Sequence, residues 1–194
     1  YCVPWGKYDD YVARDLVARI DSAYRTDARR EARAVLGLSM GGYGAITLAL
    51  RYPDVFAAAA SHSGVLAPAL PADTVPWSEG RRVRALERWY TRLWAPLRVA
   101  FGTDSVSWTA RDPVRLLDRA RARGAPLPAL WADVGDDDPY APQTRAFRAA
   151  CAARGVPLAG ADRPGMHAWS WWRAAASRSL PWLLARLAPP TASP

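Results

Sequence analysis

The 194-residue sequence predicts an α/β fold, in which a parallel sheet of about four strands carries flanking helices. Short apolar segments alternate with longer segments of helical periodicity, a pattern typical of successive βαβ units. The hydrophobic fraction of 51% indicates a folded chain, and the length suits one domain. The apolar runs fall short of the roughly 18 residues that a membrane span requires, so none is predicted.

The helices are predicted from apolar spacing and from residues that begin or end helices. Asp9 or Asp10 can cap a first helix that ends near Tyr24. Asp112 followed by Pro113 begins another, because aspartate accepts hydrogen bonds from free N–H groups and proline suits the first helical position. The remaining helices are expected over residues 41–52, 144–154 and 168–187, the last with a point of interruption at its proline.

The strands are predicted as short buried segments between these helices, over residues 32–38, 55–61, 127–134 and 156–162. They should lie in that order, all parallel. The first is apolar on both faces, as suits a strand within a sheet. No earlier strand is visible, so we expect this strand at an exposed edge or paired with another chain. The whole chain, 1–194, is interpreted as one partial domain with a less regular, cap-like insertion at about 64–100.

Composition argues against several classes of protein. The net charge of +8 comes from arginines scattered through helical stretches, which does not favour a nucleic-acid partner. Cys2 and Cys151 are too few and too far apart to predict a metal site or a disulfide framework. The chain begins Tyr1-Cys2 without a signal peptide, which leaves cytoplasm and secretion open and suggests a processed chain or a piece of a longer one. The oligomeric state stays open.

The motif that carries chemistry is Gly37-Leu38-Ser39-Met40-Gly41, which fits G-x-S-x-G between a predicted strand and a predicted helix. In that context the serine lies on a strained turn that exposes its hydroxyl, and both glycines are expected to avoid side-chain clashes. The backbone N–H of Met40 would point at a developing oxyanion. Ser39 is therefore the predicted nucleophile.

A serine nucleophile requires a base and an acid, which in this fold follow in the order Ser, acid, His. His167 follows the last predicted strand and is the predicted base. His62 precedes every plausible acid and is interpreted as a strand-end or pocket-lining residue. The acid should follow the third strand, where Asp136, Asp137 and Asp138 are adjacent. Like charges repel, so most of these carboxylates should be solvated while one turns toward His167. Spacing alone does not choose among them.

Several segments together resemble the esterase D family of α/β-hydrolases, which includes feruloyl and tributyrin esterases, S-formylglutathione hydrolases and mycolyltransferases. The resemblance is carried by the serine motif with its continuation Gly42-Tyr43-Gly44-Ala45, and by Tyr8-Asp9-Asp10-Tyr11, Arg51-Tyr52-Pro53, Ser61-His62-Ser63-Gly64, Phe101-Gly102, Asp112-Pro113 and Pro164-Gly165-Met166-His167-Ala168-Trp169. It implies Ser39 as nucleophile, His167 as base and Asp138 as acid, with Asp137 in reserve.

The resemblance also implies what the sequence lacks. Family members have earlier strands and a His-Gly loop that donates a second oxyanion N–H, and neither is found before the nucleophile strand. We therefore expect a partial, N-terminally truncated α/β-hydrolase fold with only the Met40 half of the oxyanion hole.

The function predicted from these residues is hydrolysis of a small-molecule carboxylic ester through an acyl-serine intermediate, with no metal or organic cofactor implied. One alternative is acyl transfer on the same fold, as in mycolyltransferases, and another is a non-catalytic, hydrolase-like binding domain. The tryptophans at 77–108 and at positions 169, 171 and 172 are interpreted as core or as an aromatic pocket lining.

Overall fold

The computed structural model of the chain describes residues 7–189, apart from the side chain of Glu79. Its centre is a parallel sheet with the strand order β1-β2-β3-β4, as the sequence predicts. The strands are β1 (Ala34–Leu38), β2 (Ala58–His62), β3 (Ala129–Asp133) and β4 (Leu158–Ala159). In the described part of the chain β1 pairs with β2 alone, so the strand before the serine motif forms one edge of the sheet.

All four strands are shorter than predicted, and local chemistry explains two of the ends. Pro128 has no N–H group to contribute, so the ladder of β3 begins at Ala129, whose N–H donates to the carbonyl of Ala57 over 2.8 Å. Gly160, the residue directly after β4, adopts a φ of +92°. Because an extended strand cannot pass through that backbone conformation, β4 ends at Ala159.

The sheet alternates its side chains between two buried faces. In register across the sheet, Val35, Ala59 and Leu130 belong to a core shared with helices on one face. Their neighbours Ala58 and Ala60 belong to a smaller cluster on the opposite face, with Leu183 from the C-terminal helix. Because β2 is buried on both faces, its run of alanines marks the crowded middle of the sheet rather than a weak strand.

The first face is covered mainly by the helix that follows the serine motif, together with two later helices. The helices that flank the sheet are α1 (Tyr8–Asp10, then a π-helical stretch Tyr11–Leu16, then Val17–Ala23), α2 (Met40–Arg51), α6 (Pro113–Ala122), α7 (Ala141–Ala153) and α8 (Trp169–Leu184).

The capping prediction at Asp112 is confirmed, because its side chain accepts from the N–H groups of Val114 and Arg115. Pro181 lies inside α8 and does not interrupt it.

The capping role predicted for Asp9 and Asp10 is wrong. Helix α1 begins at Tyr8, so both aspartates lie within its first turn and not before it, and the Asp9 carboxylate accepts only the N–H of its neighbour Asp10, over 3.2 Å. Both carboxylates contact the end of α2 instead. Asp9 lies 3.1 Å from the Arg51 guanidinium, and Asp10 accepts the Tyr52 hydroxyl over 2.7 Å. These contacts attach α1 to the helix that carries the serine motif.

The segment predicted as a cap-like insertion is helical and has a small core of its own. Its longer helices are α3 (Arg81–Tyr90) and α4 (Trp94–Phe101), and α5 (Ser105–Arg111) follows shortly after it. Trp108 is almost fully buried, with its ring centroid 4.7 Å from that of Phe101. Tyr43 of α2 contacts Phe101 and donates its hydroxyl to the carbonyl of Arg111 over 2.8 Å. The cluster therefore packs directly on the helix that follows the serine.

Within residues 7–189, no helix is both long enough and apolar enough to cross a membrane.

Of the two cysteines, Cys2 lies outside the described residues. Cys151 is buried in α7, and burial raises the pKa of its thiol to about 11, so the thiolate form needed for reaction is suppressed.

Candidate active site

Ser39 lies on the turn between β1 and α2, at the carboxyl edge of the sheet where parallel strands present their loops. Its φ of 53° and ψ of −121° place it among the few described non-glycine residues with positive φ. The N–H of Ser39 donates to the carbonyl of His62 over 2.8 Å, which holds this turn to the end of β2. A strained serine held by its neighbours at a strand-to-helix turn is the geometry expected of an exposed nucleophile.

The two glycines of the serine motif have different roles, and one expectation about them is wrong. A Cβ on Gly37 would lie 2.1 Å from the carbonyl oxygen of Gly41, so no side chain fits there. A Cβ on Gly41 would meet nothing within 4 Å, because this residue lies in the first turn of α2 and faces solvent. Gly42 is a further tight position, since its Cβ would lie 2.6 Å from the Ser61 hydroxyl.

This difference predicts opposite effects of the same substitution at positions 37 and 41. Gly37→Ala should lower the free energy of unfolding by about 1–3 kcal/mol or more, because the contact is with backbone that cannot move aside. Gly41→Ala should be neutral or raise it by about 0.5–1 kcal/mol, because alanine is favoured over glycine in a helix. Urea unfolding of both variants checks this, and equal losses would contradict the geometry.

His167 reaches Ser39 from the loop between β4 and α8. Its Nε2 lies 2.9 Å from the Ser39 Oγ. The loop is held against the residues after β3, where the N–H of Asp137 donates to the carbonyl of Gly165 over 3.0 Å. A Cβ on Gly135 would lie 2.2 Å from that same carbonyl oxygen, so glycine is needed for the two loops to approach. This close contact between the two loops places His167 beside the end of β1, where Ser39 lies.

Of the three adjacent carboxylates, Asp136 and Asp137 are exposed and Asp138 is buried. The Asp138 Oδ2 lies 2.8 Å from Nδ1 of His167, and its Oδ1 accepts the N–H of Tyr140 over 2.8 Å. When Asp138 is ionised, the Nδ1 proton of a neutral His167 donates to it, which leaves Nε2 free to accept from the Ser39 hydroxyl. The structure thus brings Ser39, His167 and Asp138 into one hydrogen-bonded series.

The carboxylate of Asp138 is ionised despite its burial. Burial alone would raise its pKa, but hydrogen bonds from His167, Ser63 and the N–H of Tyr140 outweigh that effect and hold the pKa below the ordinary value. The charge acts in turn on Tyr140, whose pKa is raised by its burial and by the nearby Asp138. A negative carboxylate is what stabilises a positive imidazolium.

Aromatic rings hold the imidazole from two sides. The rings of Tyr140 and Trp172 make edge contacts with His167 at centroid distances of 5.0 Å and 4.8 Å. The sequence analysis interprets the three tryptophans at positions 169, 171 and 172 as core or pocket lining, and their exposure differs. Trp171 and Trp172 are buried, whereas Trp169 is 69% exposed beside Trp172. The contacts of Tyr140 and Trp172 with His167 have no sequence signal, because no spacing rule relates either residue to His167.

A second Ser/His/Asp group lies inside the protein. His62, the last residue of β2, has Nδ1 2.5 Å from Oδ1 of Asp133 and Nε2 2.9 Å from the Ser179 Oγ. All three residues are at most 1% exposed, so no substrate can reach this serine. The group joins β2 and β3 to α8. His62 is thus a strand-end residue, as predicted, and the partly exposed Ser39 and His167 form the accessible set.

Met40 begins α2 directly after Ser39, and its side chain is 76% exposed. Its N–H lies in the first turn of the helix, where N–H groups have no partner within the helix. This is the one oxyanion donor that the sequence predicts. Met166, next to His167, is 65% exposed, so apolar side chains flank the serine and histidine on the open side.

The chain is similar to known proteins over most of its length. Residues 5–183 match the Esterase family model, described as "Putative esterase". Esterase Rv1288 of Mycobacterium tuberculosis is 30% identical over 174 residues, which cover 82% of this chain and 36% of that protein. This chain therefore spans about a third of the length of that curated relative.

Two solved structures from Staphylococcus aureus extend the comparison. An S-formylglutathione hydrolase has a TM-score of 0.70 at 27% identity, with 92% of this chain and 64% of that chain covered. FphF, a fluorophosphonate-binding serine hydrolase, has a TM-score of 0.72 at 27% identity, with 91% and 63% covered. The fold is accordingly a partial α/β-hydrolase fold. With its family model matched over nearly its whole length, the chain belongs to the Esterase family.

Proposed function

We propose that this chain carries the active site of a serine carboxylic-ester hydrolase that works through an acyl-serine intermediate. The observation that supports it most is the unbroken series from the Ser39 Oγ through both ring nitrogens of His167 to the buried Asp138 carboxylate, at 2.9 Å and 2.8 Å. Family membership supports ester hydrolysis, and the similarity to a fluorophosphonate-binding serine hydrolase supports an activated serine.

In the proposed acylation step, the Ser39 Oγ attacks the ester carbonyl carbon while its proton passes to Nε2 of His167. The carbonyl oxygen becomes an oxyanion that accepts the N–H of Met40. Collapse of this intermediate breaks the bond to the leaving oxygen, which takes the proton from Nε2 and departs as an alcohol. Asp138 keeps the imidazole in the required tautomer and stabilises its charged form.

In the proposed deacylation step, water replaces the alcohol. His167 removes a proton from the water as it attacks the acyl-serine, and then returns a proton to the Ser39 oxygen as the carboxylic acid leaves. The resemblance implies a second oxyanion donor, on a His-Gly loop, that would bind the same oxygen as the N–H of Met40. Each such donor contributes about 10²–10³-fold to kcat.

Pre-steady-state hydrolysis of p-nitrophenyl acetate tests the proposal. A burst of p-nitrophenol equal to the enzyme concentration, followed by a slower steady state, is expected of an acyl-enzyme. Addition of an alcohol then separates hydrolysis from acyl transfer, because a transferase forms a new ester in place of acetate. Release of p-nitrophenol at the buffer rate alone would favour the non-catalytic alternative and contradict the proposal.

A further inference from the structure

Positive charge is concentrated in one segment of the chain, residues 81–98. This segment contains six of the 26 basic residues but only one of the 18 acidic residues, Glu87, so it holds +5 of the formal net charge of +8. It consists of α3, the short turn Thr91–Leu93 and the first part of α4. A large share of the net charge therefore lies on the helical insertion that follows β2.

Helix α3 presents arginines to solvent because its apolar side is already packed. Leu86 and Tyr90, one turn apart, are buried in the core of the insertion. Arg84 and Arg88, also one turn apart, are exposed on the opposite side of the helix. Within the described residues neither guanidinium forms an ion pair or a hydrogen bond. Like charges one turn apart slightly destabilise a helix, so the fold itself gains nothing from this pair.

Apolar side chains are exposed beside these arginines. Trp89, next to Arg88, is 53% exposed, and Leu93, in the turn after α3, is 47% exposed. Arg92 is exposed as well, and it has no ion pair or hydrogen bond in the part of the chain that the structure describes. Arg84, Arg88, Trp89, Arg92 and Leu93 together are called the basic face. Guanidinium groups beside exposed aromatic and aliphatic groups are typical of surfaces that bind at the boundary between anionic headgroups and acyl chains.

A neighbouring arginine shows how the basic face differs from a structural use of the same side chain. Arg82 donates to the carbonyls of Asp73 and Val75, and its guanidinium lies 5.2 Å from the centroid of the Trp77 ring. Arg82 therefore holds two parts of the insertion together. The arginines of the basic face make no such contact, so their charge is available to a partner.

The basic face lies at the end of the molecule that carries Ser39. The insertion begins at the carboxyl end of β2, and the inner side of α3 contacts the first turn of α7, where the Gln143 amide donates to the Tyr90 hydroxyl over 3.3 Å. Tyr140, three residues before Gln143, contacts the His167 ring. A surface bound at the basic face would therefore lie on the same side of the sheet as the candidate active site.

We propose that the basic face is a docking surface for the anionic lipid surface of a membrane. Its three arginines bind phosphate headgroups, while Trp89 and Leu93 enter the boundary between headgroups and acyl chains. The two surfaces are complementary in charge, because unpartnered guanidinium groups meet a layer of negative headgroups. Leu93 favours lipid over nucleic acid, since an aliphatic side chain suits acyl chains and does not stack on bases. The binding is independent of the proposed reaction, so failure of either proposal leaves the other standing.

Co-sedimentation with lipid vesicles tests the proposal. The parent chain should partition onto vesicles of equal parts phosphatidylglycerol and phosphatidylcholine about 100-fold more strongly than onto phosphatidylcholine alone, since each arginine near an anionic surface contributes about 5-fold. Raising NaCl from about 0.1 M to about 1 M should remove most of this preference, because the screening length falls from about 10 Å to about 3 Å.

Variants of the basic face should change the binding in both directions. Arg84→Gln combined with Arg88→Gln should weaken partition onto the anionic vesicles by about 30-fold. Trp89→Ala should weaken it by about 5-fold, because less apolar surface leaves water. Glu87→Gln should strengthen it by about 2–5-fold, because Glu87 is exposed and is the one negative charge of the segment.

The matched control is Arg119→Gln combined with Arg123→Gln. These arginines are also exposed and one turn apart, at the end of α6 that leads toward the start of β3, and the double change lowers the net charge by the same amount. Partition of this variant should stay within about twofold of the parent, since its arginines lie away from the basic face. Equal losses in the two double variants would show that only net charge matters and would overturn the proposal.

Three further outcomes would also overturn it. The first is a parent chain with no preference for the anionic vesicles. The second is tighter binding to a single-stranded oligonucleotide than to the vesicles, lost in the α3 double variant, which would assign the face to nucleic acid. Circular dichroism checks the fold of each variant. If the α3 double variant is unfolded, Trp89→Ala and Glu87→Gln decide, and unchanged vesicle binding in both is the third contradictory outcome.

Discussion

Ser39→Ala should abolish the hydrolysis of short p-nitrophenyl esters by this chain, with kcat lowered by about 10⁴-fold or more. The substitution removes the only protein atom that the proposed mechanism uses to form a bond to the acyl carbon. His167→Ala should have an effect of similar size, because the hydroxyl loses the base 2.9 Å away that accepts its proton. Initial rates of p-nitrophenol release measure both effects.

The control for this prediction is Ser177→Ala. Ser177 is an exposed serine of α8 whose hydroxyl donates to the carbonyl of Ala174 over 2.8 Å, far in sequence from the serine motif. Its removal should leave kcat within about twofold of the parent, as surface substitutions usually do. If either Ser39→Ala or His167→Ala kept most of the parent activity, the assignment of nucleophile and base would be wrong.

Asp138→Asn should lower kcat by about 10³–10⁴-fold while leaving the fold intact. An amide in place of the carboxylate favours the wrong tautomer of His167, and the imidazolium loses its negative partner. Asp136→Asn and Asp137→Asn are matched controls on the same loop, because both side chains are exposed. Each should keep kcat within about threefold of the parent. A large loss in Asp137→Asn with none in Asp138→Asn would move the acid by one residue.

The same carboxylate should affect stability in a pH-dependent way. Since hydrogen bonds hold the folded-state pKa of Asp138 below the ordinary value, its ionised form stabilises the folded state above the ordinary carboxyl pKa. This contribution is lost as pH falls through the lowered folded-state value. Asp138→Asn should therefore lose more unfolding free energy relative to the parent at pH 7 than at pH 3, and urea unfolding at the two pH values measures the difference.

The serine motif and its flanking strand and helix could be predicted because each has a local signature, and the alternation of strands with helices favoured the parallel sheet. Ser39 follows an apolar strand, and Asp112-Pro113 begins a helix whatever surrounds it. The ends of strands were harder to predict. The early end of β4 depends on the φ of Gly160, and periodicity does not reveal a backbone angle.

The parts of the candidate site that depend on contacts between distant loops could not be predicted from the sequence. Spacing gave no preference among the three aspartates, whose exposure depends on how the loop after β3 meets the loop before α8. The role of Gly41 was misjudged because a glycine in the motif can lie on an open helix turn.

The proposed activation of one serine by one histidine is tested most directly by labelling with a fluorophosphonate, followed by peptide mapping of the adduct. The account predicts rapid, stoichiometric labelling at Ser39 in the parent chain, and labelling slowed by orders of magnitude in His167→Ala. It also predicts that the buried Ser179 stays unlabelled although His62 lies 2.9 Å from it. An unlabelled Ser39 in a folded parent chain, or an adduct that forms equally fast without His167, would contradict the account.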